Sequence, residues 1–249
     1  MPRERSTKTG WGTDVDNEVM DLEQLAAYLR RDVREVSKLA NRGHLPGKKV
    51  GGVWRFASSD INYWIETQMP ALSEEQLAAL EDRGDTAVEF EEPLVTSLLT
   101  ERTIAVPLRA STKASVLREL VTLAEQSWQI YDPDALLEAI KAREAVGSTA
   151  LASGVAIPHP HQPLSPKAQG EAILALARTS HGIPFGAPDG GLTDLFFLVS
   201  CRGADMHLRV LARLSRLLLR PGFLDDLRSI ESVAETLQFI ERSERELLA

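Results

Sequence analysis

The run Val155-Ala156-Ile157-Pro158-His159 constrains this chain more than any other stretch. Its three apolar residues suit a buried strand, and Pro158, which has no backbone N–H, cannot continue a ladder. The strand is expected to stop there. His159 then stands at a strand's carboxyl end, where open α/β sheets gather their ligand sites. The proline also stiffens the backbone on which the imidazole is mounted, and a nucleophile needs a fixed position. Upstream, Gly147-Ser148-Thr149 reads as a helix end followed by a turn.

From Leu94 onward strand-like and helix-like segments alternate, the pattern of an α/β layered domain. Residues 103–107, 172–177 and 195–199 are strand candidates. Ser111 is a candidate helix cap, with Leu117, Leu120, Val121 and Ala124 on the inner face of the helix that follows. Asp132 and Pro133 read as another helix start, and the last turns of that helix bring Arg143 toward Ser148 and Thr149. Asp205 is a plausible N-cap for a helix carrying Leu208, Leu211, Leu214, Leu217 and Leu218, which puts His207 in the first turn. There the helix dipole disfavours a protonated imidazole, and free N–H groups favour an anion.

The chain has 249 residues, 43% hydrophobic and 26% charged, ordinary values for a globular protein of one or two domains. No apolar run is long enough to span a bilayer, and the first residues lack a signal-peptide segment, so a cytoplasmic protein without membrane insertion is expected. Cys201, the single cysteine, agrees with a reducing compartment; it follows an apolar run, and a buried structural thiol is the expected reading. The net charge of −8 is unevenly spread. Bases cluster between Arg30 and Arg55, and acids between Glu74 and Glu92. A basic module, an acidic connector and a separate main domain follow from that asymmetry.

Within the basic module, Asp21 is placed to cap a helix through Leu25 and Leu29, and a second short helix holds Val33, Val36, Leu39 and Ala40. Residues 48–56 read as a hairpin turning at Gly51-Gly52, and residues 58–65 close the module as a helix with Ile61, Trp64 and Ile65. Leu25, Tyr28 and Leu29, then Gly43, Leu45 and Pro46, then Lys49, Val50, Gly51, Trp54, Arg55, Phe56, Asp60, Ile61 and Trp64 resemble the small winged helix-turn-helix domain of excisionases and MerR-type regulators. The resemblance implies that Arg34, Ser37, Lys38 and Arg42 face DNA, with Lys48, Lys49 and Arg55 on phosphates. A solvated face that docks protein is the alternative. Trp54 and Trp64 read as core.

The residues Arg143, Glu144, Gly147, Ser148, Thr149 and Gly154 through His159 match an R-E…G-S-T…G-[IV]-A-I-P-H run. With Phe185, Ala187, Pro188, Asp189, Gly190 and the pair His207-Leu208, they resemble the enzyme IIA domains of the phosphotransferase system, of the fructose, mannitol and nitrogen-regulatory class, over residues 93–241. That resemblance implies a mixed sheet flanked by helices, with His159 as phosphate acceptor, His207 as its hydrogen-bonding neighbour and Arg143 as the cation steadying the phosphate. Ser148 and Thr149 are candidate phosphate supports, or caps of their turn. An HPr-type phosphocarrier is the implied partner, DNA and a homodimer are further partners, and no cofactor or metal is expected. The family usually has glycine after the acceptor histidine, whereas this chain has Pro160, which offers phosphate no N–H, and then His161.

The expected organisation is a disordered tail over 1–16, a winged helix-turn-helix domain over 17–68, an acidic linker over 69–92 and an enzyme IIA-like domain over 93–249. Two other readings stay open. One makes the second domain a phosphate-free sensor or protein dock on a transcription regulator. The other is a metal hydrolase built on His159-x-His161 with His181, His207 or Asp205.

Overall fold

The computed structural model describes residues 19–82 and 93–249. The expected tail and the acidic residues Asp85, Glu89, Glu91 and Glu92 lie outside them. The chain divides into two compact units, Met1–Ile61 and Asn62–Ala249.

In the first unit, Asp21 caps helix α1 (Leu22–Leu29) through a capping box with Gln24, and Arg30 ends it in the left-handed region at φ 50°. Asp32 then caps helix α2 (Val33–Asn41) by accepting from the Arg34 backbone N–H. Strand β1 (Val19–Met20) precedes these helices. Strands β2 (Lys48–Val50) and β3 (Val53–Ala57) follow them, joined at Gly51 and Gly52, whose φ values of 59° and 83° a side chain would disfavour. β3 is central, antiparallel to both β1 and β2. β1 escapes sequence reading because two residues show no alternation. Leu25, Val36, Phe56 and Ile61 are fully buried and form the core of this small unit.

Helix α3 (Ser58–Gln68) crosses the division: Ile61 belongs to the first unit and Tyr63 and Glu66 to the second. In the second unit a four-stranded sheet runs β4-β6-β7-β5, formed by β4 (Ile104–Leu108), β5 (Val155–Ala156), β6 (Ala172–Ile183) and β7 (Thr193–Cys201). β4 is parallel to β6 and β5 to β7, while β6 and β7 are antiparallel, so the sheet is mixed. Helices α6 (Lys113–Glu125) and α7 (Pro133–Val146) form one core cluster with Ile173, Ala175, Ala177, Phe196 and Leu198. The alternate residues Leu174, Leu176, Leu195, Phe197 and Val199 are equally buried, as strands covered on both faces require. Helices α8 (Ala204–Leu219) and α10 (Val233–Leu248) pack on β7 and β4, with α5 (Leu94–Ser97) and α9 (Phe223–Ser229) beside them. The Cys201 thiol is 2% exposed, and burial pushes it up to about 12.

Two expected caps move by one or two residues. Thr112, not Ser111, caps α6, because Ser115 at the third helical position reciprocates with it. α8 starts from Gly203 without a side-chain cap, so Asp205 sits inside the first turn.

Part of the stretch expected as a linker is helix α4 (Glu74–Glu81), which packs on α8. Leu77 and Leu80 are buried, each contributing about 2 kcal/mol. Glu81, 3% exposed, accepts from Arg213 at 2.8 Å and from Arg216 at 2.9 Å. Arg213 also donates to Glu244 at 2.9 Å, and Glu244 accepts from the Val95 and Thr96 backbone N–H groups, each at 2.8 Å. One buried guanidinium therefore joins α4, α8 and α10, and through Glu244 the start of α5. Composition alone shows only an acidic run there.

Candidate phosphoryl-acceptor site

His159 stands three residues past the end of β5. Its strand ends as the proline dictates: the Pro158 carbonyl still accepts from Val199 N–H at 3.0 Å, but Pro158 donates nothing back. Gly154 begins the run at φ 78°, a conformation that favours glycine, and a Cβ there would have to displace the Arg228 guanidinium 2.7 Å away. The Ile157 carbonyl accepts from His159 Nδ1–H at 2.7 Å. A carbonyl can only accept, so Nδ1 carries a proton and the ring's reactive edge is Nε2.

β7, parallel to β5, delivers His207 by way of α8's first turn. The two imidazoles lie 5.0 Å apart between centroids, and both residues are at most 9% exposed. Burial pushes the His207 imidazole below its ordinary range. The Glu66 carboxylate beside it opposes that push, and the charges of His159 and Arg143 add to it. Desolvation is the leading cause of that shift.

Arg143, in the last turn of α7, is 5% exposed and donates to the Gly147 carbonyl at 2.8 Å, which ties the helix end to the turn as expected. Ser148 and Thr149 are both committed to that turn. Ser148 Oγ donates to the Phe185 carbonyl at 2.9 Å and accepts from Ala150 N–H. Thr149 bonds Glu144 through both its hydroxyl and its N–H, and Lys113 pairs with the same carboxylate at 2.6 Å. Glu144 thus folds the run, with Lys113 neutralising it.

A residue that no sequence pattern marked completes the corner. Glu66, its side chain 7% exposed, places Oε2 3.1 Å from His159 Nε2 and 3.9 Å from the Arg143 guanidinium. Its Oε1 lies 3.3 Å from His207 Nε2, though not aligned as a hydrogen bond. Burial works to raise the Glu66 carboxyl, but the contacts with His159 and His207 and their charges win and hold it well below the usual carboxylate range. From the same helix, Tyr63 lies under the Arg143 guanidinium at 5.0 Å and packs edge-to-face with the His161 ring, 5.4 Å between centroids.

Glu66, His159 and His207 are the one grouping among the described residues whose donor atoms lie within ligand reach of one ion. This is not the His159-x-His161 set of the metal reading: His161 is turned to Tyr63, and neither His181 nor Asp205 joins. The guanidinium at the corner repels a metal ion and favours an anion.

In the first unit, Arg34, Lys38 and Arg42 are exposed along α2 and just past its end, while Ser37 bonds Asn41. Lys48 pairs across the hairpin with Arg55. Lys49 lies over the Trp54 ring at 5.0 Å and donates to Asn41 at 3.4 Å, joining wing to helix. Trp54 stacks on Phe56 and is half-buried, as is Trp64.

Comparison with known proteins agrees with these two assemblies. The family described as phosphoenolpyruvate-dependent sugar phosphotransferase system, EIIA 2, matches residues 97–243, and a helix-turn-helix domain family matches residues 19–69. The fructose-specific EIIABC component of Bacillus subtilis is 31% identical over 155 residues, which are 61% of this chain and 24% of that longer protein. A nitrogen regulatory protein of Bradyrhizobium diazoefficiens is 36% identical over 139 residues, 54% of this chain and 86% of the relative. The crystal structure of the nitrogen regulatory protein IIA-Ntr from Neisseria meningitidis superposes with a TM-score of 0.54 at 27% identity, covering 59% of this chain and 99% of that one. No described helix is long and apolar enough to cross a membrane. With the sheet, the run around His159 and more than half of its length matched, the chain belongs to the EIIA 2 family of the phosphoenolpyruvate-dependent sugar phosphotransferase system and carries a helix-turn-helix domain ahead of that region.

Proposed function

We propose that His159 accepts a phosphoryl group on Nε2 from a phosphorylated HPr-type carrier, and that the chain couples this state to transcription through its helix-turn-helix domain. The observation that carries the reading is the Nδ1–H bond from His159 to the Ile157 carbonyl, which turns Nε2 toward the Arg143 and His207 corner, where Glu66 meets it. In the transfer, the Nε2 lone pair forms the new N–P bond as the carrier's N–P bond breaks, and that electron pair returns to the carrier. Such a step asks the protein for positioning and charge compensation rather than covalent machinery. Arg143 offsets the charge of the transferring group, and His207, kept neutral by burial, is free to donate one hydrogen bond to it. Ser148 and Thr149 build the turn that holds Arg143. Pro160 is buried directly behind the histidine and fixes its orientation at the cost of one N–H donor.

The domain reading keeps 17–68 as the DNA-binding module and 93–249 as the phosphotransfer domain, and the burial of Leu77, Leu80 and Glu81 supports adding α4 to the latter. Pairing of two chains would double the short recognition helix on a palindromic site. Incubation with phosphoenolpyruvate, enzyme I and HPr, followed by intact-mass measurement, tests the reading. One phosphoryl group should be gained by the wild type and none by His159→Ala. Label retained in His159→Ala moves the acceptor elsewhere.

A further inference from the structure

The anion position of the phosphotransfer corner is already taken, and by a residue of the same chain. Resting on the reading of His159 as phosphate acceptor, we propose that Glu66 stands in for the phosphoryl group and shuts the site until its helix end withdraws. Oε2 of Glu66 lies 3.1 Å from His159 Nε2, the atom that must attack phosphorus. That distance leaves no room for a phosphoryl group. The carboxylate also only accepts, and Nδ1–H is already given to Ile157, so the contact requires a second proton on Nε2. An imidazole protonated there has no lone pair to offer. Glu66 therefore blocks the nucleophile twice, by occupying its approach and by holding a proton on it.

The contact is more than one side chain thrown inward. Tyr63 and Glu66 are three residues apart and share one face of α3. Tyr63 lies under the Arg143 guanidinium and against His161 while Glu66 takes the histidines. That face meets Arg143, His159, His161 and His207 at once.

The corner is not completed by this occupant. Arg143 Nε and His207 Nε2 are buried without a hydrogen-bond partner, and the nearest Arg143 nitrogen stands 3.9 Å from Glu66, beyond hydrogen-bond reach. A carboxylate presents two oxygens in a plane, whereas a phosphoryl group presents three around a tetrahedron and would reach donors that Glu66 leaves idle. The site fits the substitute less well than the ligand, as a displaceable plug requires. α3 also carries Ile61, a fully buried residue of the first unit's core. Whatever holds the end of α3 away from the corner favours phosphate on His159, and phosphate favours that release by the same factor.

The test uses the full chain with phosphoenolpyruvate, enzyme I and HPr, following the initial rate of label on His159 in wild type, Glu66→Ala and Glu66→Gln. If the open form is about a tenth of the wild-type population, Glu66→Ala should be labelled about tenfold faster, with Glu66→Gln between the two. Should Glu66→Ala fail to fold, the Glu66→Gln rate decides by the same criterion. Label on wild type with equal or slower rates in both variants would overturn the plug and leave phosphotransfer standing. No label on any of the three would overturn the acceptor reading, and the plug with it. Stoichiometric zinc in the purified wild type, lost in Glu66→Ala, would also overturn the plug and make the corner a metal site.

Discussion

Helix α2 of the first unit and the histidine corner of the second both gather basic side chains, in opposite surroundings. Arg34, Lys38 and Arg42 stand exposed on or next to one helix, each free to be replaced without disturbing a neighbour's packing. Arg143, His159 and His207 are each at most 9% exposed, come from three separate elements, and meet a carboxylate 93 residues before His159. Exposed cations can act only by adding up weak, screened attractions. Buried ones depend on geometry, in a medium where one charge bears strongly on the protonation of its neighbours. Substitutions should therefore act nearly independently in the first region and abruptly in the second.

The largest effect is expected at His159. His159→Ala should remove all label delivered by the carrier, whereas His161→Ala, whose ring faces Tyr63, should keep most of it. Intact mass reads both. Loss of label in His161→Ala alone would break the contrast by moving the nucleophile out of the ordered corner. Arg143→Ala and His207→Ala come next. Removal of a preorganised charge-stabilising donor costs about 2.7–4 kcal/mol of barrier, so each should slow transfer by about 10²–10³ in a rapid-quench assay while the domain stays folded. Wild-type rates in both would mean that the corner is not the transfer site.

The same logic of burial extends to a part of the second unit that does no chemistry. Arg213 is 3% exposed between Glu81 and Glu244, and Arg213→Ala would leave two carboxylates buried without their common partner. Breaking a buried pair typically costs about 3–5 kcal/mol, measurable as a lower midpoint in urea with the slope unchanged. A change under about 1 kcal/mol would show that water reaches these groups and that α4 is loosely held, as an exposed pair would be.

The legible parts of this molecule were those where the signal is local. Asp21 and Asp132 cap the helices expected of them, Gly51-Gly52 turns the hairpin, and Pro158 stops the strand before His159. Each needs only its near neighbours. The family resemblance added the pairing of His159 with His207, which no spacing reveals. What stayed illegible depends on distant packing. Glu66 is one carboxylate among many on a polar helix, and nothing beside it says that it is buried. Glu81 sits in a run of acids that reads as solvated, and only Arg213, 132 residues later, explains its place. β1 joins its sheet through two residues, too few to show a period. Long-range electrostatic partners are the class of contact that a single sequence hides best.

The smallest effect per residue is expected in the first unit, and it sharpens the contrast. Arg34 and Lys38 lie one turn apart on the exposed side of α2, and one short helix reaches few base edges. The net charge of −8 further opposes approach to DNA, so a single chain should bind weakly. If these cations meet phosphates, Arg34→Ala/Lys38→Ala should weaken binding to all duplexes alike and lower the slope of log affinity against log salt by about 2, roughly one per lost contact. Loss confined to one sequence would instead mark Arg34 as a reader of base edges, where a bidentate contact discriminates by about 1–3 kcal/mol. Fluorescence anisotropy across a salt series separates the two, and the single variants should sum to the double within about 0.5 kcal/mol if the exposed cations act independently. Strong non-additivity would place this face among the cooperative, geometry-bound sites and end the contrast. Undetectable affinity at low salt would make the module a protein dock.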